Sequence, residues 1–321
     1  MSNFKFILIG LGGIGFEYDA NHPKRLTHYS CIKEINEFEL VYGVDNCGTK
    51  RSRFQEATRI KTIEINELHL LTSQSIDAVT ICTPTNTHFE IIETVLNFIT
   101  PKIILIEKPF GNNLYNAFQI KQLCDVKKIL LRVNYNRSYY NFNKEIRNYF
   151  LSVNYFKGNL WYSNGFFNNA SHFIDLLCEW IGDPREIQII QNNGESELKE
   201  GDYDLDLLFK YSKGEVLLSS WKEKYYSFYT LNIQADLFNI ISSNNMEHIE
   251  LFEPLEDFDY PGFKRLSDNP KKRFYFNKGL IELYNKTLSD LKNLPNDVSK
   301  DNNQSLRTLK ILNKVQHEIE K

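Results

Sequence analysis

The stretch Ile103-Ile104-Leu105-Ile106-Glu107-Lys108-Pro109-Phe110 sets a carboxylate, an amine and a proline directly behind four apolar residues that read as a buried strand. Ligands of parallel sheets bind just beyond the carboxyl ends of the strands, which makes Lys108 the first candidate for acid/base chemistry. The same residues also fit two solvated charges following a strand. A second candidate lies at the start of the chain, where the apolar run Phe4 to Ile9 leads into Gly10-Leu11-Gly12-Gly13-Ile14-Gly15, a G-x-G-x-x-G spacing. Glycines there let the backbone approach a pyrophosphate seated on the N–H groups of the next helix, so these six residues are expected to bind a dinucleotide. A third is His172, just inside a segment where Phe173, Leu176, Leu177 and Trp180 follow the i, i+3, i+4, i+7 pattern of an amphipathic helix starting near Ser171 and stopped by Gly182-Asp183-Pro184. On that pattern alone, a capping or packing histidine is the simpler reading.

The elements that must position these groups alternate between strand and helix. Glu39 to Val44 reads as a second strand ending in Asp45, placed to accept hydrogen bonds from the adenosine ribose. A carboxylate there favours NAD; Lys50, Arg51 and Arg53 lie near enough to leave NADP open. Glu17 to Thr27 looks like a loop inserted between the glycine turn and the rest of the first helix. Ile76 to Cys82 is a further strand, capped by Thr83-Pro84-Thr85-Asn86-Thr87-His88. Helices are expected over Phe89 to Phe98 and Leu114 to Lys127, and a last strand over Ile129 to Val133 leads to Asn134-Tyr135-Asn136-Arg137. The fold class is therefore α/β, with a Rossmann doubly wound parallel sheet in residues 1–133.

Residues 134–321 read as an α+β domain for substrate binding and oligomerisation, with a mostly antiparallel open sheet. A helix begins near Asn143, and strands are expected at Leu160 to Ser163, Glu186 to Gln191, Asp204 to Phe209, Glu215 to Trp221, Tyr229 to Ala235 and Leu237 to Ile241. Tyr211 to Gly214 punctuates a hairpin, Glu253 to Arg273 reads as irregular, and helices cover Gly279 to Leu291 and Gln304 to Ile319.

The balance of 38 basic against 41 acidic residues, without a single-sign block, argues against nucleic-acid or membrane-surface partners and leaves a small molecule as the default. Five cysteines stand singly, without zinc or disulfide spacing, which fits a reducing cytoplasm and no metal. The amino terminus lacks a signal-type apolar core, and no apolar run nears the roughly 20 residues that span a bilayer.

Gly10 to Gly15, Thr83 to His88, Glu107-Lys108-Pro109 and Asn134 to Arg137 together occur in the order and spacing of the glucose-fructose oxidoreductase and inositol dehydrogenase (Gfo/Idh/MocA) family, which the chain resembles. The stretch Gly165 to Leu177 extends the resemblance into the second domain. It implies a cofactor site built by the glycine turn with Asp45, Thr83, Pro84, Asn86, His88, Glu107, Lys108 and Asn136, with Glu107, Asn86 and His88 on the nicotinamide side. It also implies a substrate site of Lys108, Asn168, Asn169 and His172, with Lys108 and His172 catalytic, and a Lys108–Pro109 bond that is often cis in the family. Many relatives carry an aspartate four residues before the histidine. Here Asn168 stands in its place, and an amide takes no proton at neutral pH. Proton transfer must then rest on Lys108, lowered from about 10.4 by burial and a nearby positive nicotinamide, and on a His172 kept neutral by a helix amino terminus. The implied activity is hydride transfer between a nicotinamide and a secondary alcohol or ketone of a sugar or nucleotide sugar, by a homodimer or homotetramer paired through the C-terminal sheet. Thr27-His28 after an extended first loop resembles members acting in nucleotide-sugar or surface-polysaccharide pathways. Two alternatives are an NAD-retaining glycoside hydrolase working by transient oxidation and a non-catalytic NAD-binding regulator.

Overall fold

The computed structural model describes residues 3–19, 25–197, 200–242, 244–277 and 279–320. The chain forms two compact units: Met1–Asn136 with Lys278–Asn313, and Arg137–Asn277 with Lys314–Lys321. In the first unit the strands β1 (Phe4–Ile9), β2 (Phe38–Val44), β3 (Lys61–Ile63), β4 (Ala78–Ile81), β5 (Ile103–Ile106) and β6 (Leu130–Val133) pair in parallel in the order β3-β2-β1-β4-β5-β6. Every residue of β4, β5 and β6 is buried, as strands covered on both faces must be. Ile7 and Ile9 join Val79, Ile81, Ile104 and Ile106 in a core with the helices α3 (His88–Phe98) and α4 (Leu114–Val126), reached after α1 (His28–Glu34) and α2 (Gly48–Thr58). Leu8, on the other face, packs with Leu11, Phe16 and Phe54. β3 was not expected: three residues led by an exposed lysine carry no readable alternation.

The expected insertion in the first helix is present, and residues 20–24 of it lie outside the described residues. The Ile14 carbonyl accepts from the His28 N–H and the Gly15 carbonyl from Tyr29, both at 3.0 Å, so α1 resumes the helical turn begun at the glycines. Asp19 closes the excursion: its Oδ2 accepts from the Leu26 and Thr27 N–H groups (2.7 and 3.0 Å) and its Oδ1 from the Thr27 hydroxyl (2.7 Å). Thr27 then caps α1 through a reciprocal box with Ser30.

The second unit begins with α5 (Asn143–Ser152), β7 (Phe156–Tyr162) and, after a π-helical turn at Gly165–Ala170, α6 (Ser171–Trp180). Its main sheet adds β8 (Glu186–Glu195), β9 (Tyr203–Lys210), β10 (Gly214–Ser220), β11 (Thr230–Ala235), β12 (Asn239–Ser242) and β13 (His248–Phe252). A small hairpin of β14 (Pro254–Glu256) and β15 (Lys264–Leu266) precedes the edge strand β16 (Lys272–Tyr275). The eight-stranded order is β16-β13-β12-β11-β7-β10-β9-β8, antiparallel except where β7 meets β10. The stretch from Glu253 to Arg273, expected to be irregular, thus contains a short hairpin and the start of β16, which pairs back with β13. Tyr162, fully buried, bonds the Leu205 backbone through its hydroxyl and belongs to the core.

A single boundary after residue 133 does not describe the chain, because Lys278–Asn313 returns to the first unit with α7 (Ile281–Lys292) and most of α8 (Ser299–Ile319). The physical reason is the open edge of β6, whose unpaired backbone groups need partners. Asn302 of α8 accepts from the Leu131 N–H (2.8 Å) and donates to the Ile129 carbonyl (2.9 Å), while Arg132 pairs with Asp290 of α7 and Asp301 of α8. Among the described residues no helix is long and apolar enough to cross a membrane.

Candidate functional site

The parallel register aligns Val44, Ile9, Ile81, Ile106 and Val133 as one row of strand ends. The residues that follow each hand an N–H to the neighbouring strand: Gly10 to Val44, Cys82 to Ile9, Glu107 to Ile81 and Asn134 to Ile106. Asp45, the glycine turn, Thr83 to His88, Glu107-Lys108 and Asn134 therefore share the carboxyl edge, with the change in strand order falling between β1 and β4 where such sheets open a crevice.

The glycine turn tolerates no side chain on its inner side. Gly10 has a φ of +95°, and a Cβ there would stand 2.8 Å from the Cys82 carbonyl; at Gly15 it would stand 2.0 Å from the Gly10 oxygen. On the outer side only movable groups approach, with Tyr18 over Gly13 and the Lys50 ammonium 3.2 Å from a Cβ built at Gly12. Asp45 is fixed by two backbone donors, Leu11 N–H to Oδ2 (2.9 Å) and Cys47 N–H to Oδ1 (2.8 Å). Arg51 and Arg53 are paired with Glu64 and Glu17. The Asn134 side-chain oxygen, buried on the same edge, has no hydrogen-bond partner. A glycine cradle, a carboxylate at the tip of β2 and an orphaned buried acceptor fit a bound nicotinamide dinucleotide.

Glu107 is held by a network that the sequence pattern did not show. His28, fully buried in the first turn of α1, contacts Glu107 Oε1 through Nε2 (2.8 Å) and the Tyr284 hydroxyl of α7 through Nδ1 (2.7 Å). Asn134 donates to the same carboxylate oxygen (2.6 Å), and Oε2 accepts from the Lys108 backbone N–H at 3.3 Å. Burial acts to raise the Glu107 pKa, but the His28 bond and charge, the Asn134 amide and nearby Lys108 outweigh it, and the net shift is downward. Glu107 is thus an ionised anchor behind Lys108. The Lys108–Pro109 peptide is cis.

His88, expected on the nicotinamide side, is fully buried instead and its Nε2 meets the Thr83 carbonyl at 2.9 Å, so it braces the Thr83–Thr87 turn from beneath. Burial lowers its pKa and keeps it neutral. Asn86 and Pro84 stand exposed on that turn, and Asn136 has a buried side-chain oxygen without a partner.

In the second unit the structure corrects the placement of His172. The π-helical turn Gly165–Ala170 runs straight into α6, so the unfilled N–H groups lie at Phe167 and Asn168, not beside His172. Buried Asp202 takes both, at 2.8 and 2.7 Å, and Gly165 alone admits it, since a Cβ there would sit 2.2 Å from its oxygen. The helix-terminus argument for a neutral His172 therefore does not apply. The amide donors of Asn168 and Asn169 go to the Asn164 and Ser163 carbonyls (3.2 and 2.8 Å). Thr27-His28 and Asn134 were visible as motif members, but nothing in the sequence pointed to Tyr284 or Asp202.

A parallel sheet in this order, with a glycine turn after β1 and a carboxylate after β2, defines a dinucleotide-binding Rossmann domain. Residues 4–135 match the family model GFO_IDH_MocA, described as an oxidoreductase family with an NAD-binding Rossmann fold. Solved structures share the fold over nearly the whole chain. A dehydrogenase from Chromobacterium violaceum has a TM-score of 0.72 at 14% identity, covering 98% of this chain and 94% of its own. A Gfo/Idh/MocA family oxidoreductase from Vibrio cholerae has 0.70 at 14%, covering 99% and 100%. The WlbA dehydrogenase from Bordetella pertussis, in complex with NADH and UDP-GlcNAcA, has 0.71 at 15%, covering 97% and 94%. No curated protein sequence matches the chain.

Proposed function

We propose that this NAD-binding oxidoreductase transfers a hydride between a nicotinamide and a secondary alcohol or ketone of a sugar or nucleotide sugar, with Lys108 and His172 dividing the acid/base work. The observation that carries the reading is Lys108 itself, two residues past β5 on the edge that holds the glycine turn, with Glu107 locked behind it by His28 and Asn134. The bound nicotinamide supplies the hydride acceptor or donor. The chain's own residues then handle the hydroxyl proton, which an amine or imidazole at the reacting oxygen removes during oxidation and returns during reduction. The structural likeness to a dehydrogenase solved with a nucleotide sugar supports the sugar class. The half-covered sheet of the second unit, with Trp161 partly exposed, is the face for pairing into a homo-oligomer.

The test is Lys108→Ala and His172→Ala, assayed by nicotinamide absorbance against a panel of sugars and nucleotide sugars. Each should lower turnover by about 10²–10⁴-fold while cofactor binding stays intact. Turnover on the true substrate that barely changes in Lys108→Ala removes Lys108 from the acid/base role.

A further inference from the structure

We infer that Arg137 binds an oxyanion of the substrate, so that the sugar proposed above carries a carboxylate or a phosphate; this rests on the oxidoreductase reading. Arg137 lies in the second unit with its guanidinium carbon 4.6 Å above the centroid of Phe173, the residue after His172. Phe173 is almost wholly buried and supplies a flat floor for the cation. Tyr229 packs on the same ring, centroids 5.7 Å apart, and its hydroxyl accepts from the Asn164 amide, which leaves its own hydrogen to donate. The guanidinium and the Tyr229 ring thus both pack on Phe173, and the Tyr229 hydroxyl is near enough to act on the guanidinium charge.

What this group lacks is an anion. Among the described residues no carboxylate pairs with Arg137, and the groups that act on its charge are the Tyr229 and Tyr140 hydroxyls. Asp175, one turn beyond, accepts from Ser138. The contrast is Arg132, which is buried and answers two aspartates. A guanidinium withdrawn from water without a counter-charge is costly, and burial accordingly lowers its pKa. A planar fork over an aromatic face matches a carboxylate or phosphate in bidentate geometry, which a neutral hydroxyl cannot supply.

The experiment follows the Arg Nε–H resonances of the NAD-loaded ¹⁵N-labelled protein, with Arg137 assigned by Arg137→Lys and Arg137→Gln. The probes are D-glucuronate, D-glucose 6-phosphate, UDP and D-glucose at constant ionic strength. The Arg137 resonance should move saturably with at least one anion and not with glucose, and the anion that acts names the source as carboxylate, sugar phosphate or nucleotide. Calorimetry should show that anion's affinity falling about tenfold or more in Arg137→Lys with NAD affinity unchanged. An Arg137 resonance that no anion shifts saturably, or that glucose shifts equally, overturns the inference; the titrations use the wild-type chain, and either variant that folds suffices to assign the resonance. Anion binding without nicotinamide turnover on any substrate would instead sink the oxidoreductase reading and leave only an anion site at Arg137.

Discussion

Replacing His28 with Ala tests the network behind Lys108 most directly. His28 is fully buried and bridges Glu107 and Tyr284 at 2.8 and 2.7 Å. Removing a hydrogen-bond partner of a buried carboxylate costs about 3 kcal/mol or more, because the charge is left in a poor solvent. Glu107 keeps the Asn134 and Lys108 N–H groups and a side chain 16% exposed, so the low end, about 3 kcal/mol, applies. In a unit of this size that lowers the calorimetric midpoint by about 6–12 °C. The effect carries a pH signature. Glu107 has a native pKa below its ordinary 4.5, so its stabilisation is fully present above pH 4.5 and is lost as pH falls through the lower native value. The gap between wild type and His28→Ala should therefore be wide at neutral pH and shrink in acid. Guanidinium titrations in neutral and acid buffer, with Glu107→Gln closing a double-mutant cycle, measure both. A neutral-pH loss below about 1 kcal/mol, or one that does not shrink in acid, would refute a buried ionised Glu107 held by His28.

Gly15→Ala should prevent stable folding of the first unit, since its Cβ would stand 2.0 Å from a backbone oxygen, while Gly12→Ala should fold normally and bind nicotinamide dinucleotide more weakly, because only the Lys50 ammonium must yield; circular dichroism with cofactor titration separates the two. His88 has a native pKa below 6.5, so the unfolded chain takes the proton first and stability falls as pH drops below 6.5; His88→Asn should flatten that part of a stability-versus-pH curve. Cys47 is exposed with its thiol pKa lowered by the Thr49 hydroxyl, whereas burial pushes Cys31 and Cys124 up to about 12 and Cys82 well above its usual value. Native alkylation at neutral pH should label Cys47 first, and rapid labelling of Cys31 or Cys124 would contradict the packing around them.

The first unit's strands and glycine turn were legible because continuous apolar runs have little alternative to a sheet covered on both faces, and because glycine spacing records a close backbone approach. Lys108 could be placed at the sheet edge for the same reason, and the inserted loop could be seen as a gap between the glycines and Asp45. β3 and the strands after Glu253 were not legible, since strands of three or four residues carry no readable alternation and owe their existence to the strands they pair with. The roles of particular residues also belonged to the tertiary structure. His88 turned inward, His172 proved to lie inside a continuous helix, and the vacant N–H groups went to Asp202, which immediately precedes β9. His28 and Tyr284 are 256 residues apart and meet behind Glu107 only because α7 returns to the first sheet. Local pattern determines which backbone forms where; which charge is buried, paired or left waiting depends on what packs against it, and that is decided by contacts a linear sequence does not display.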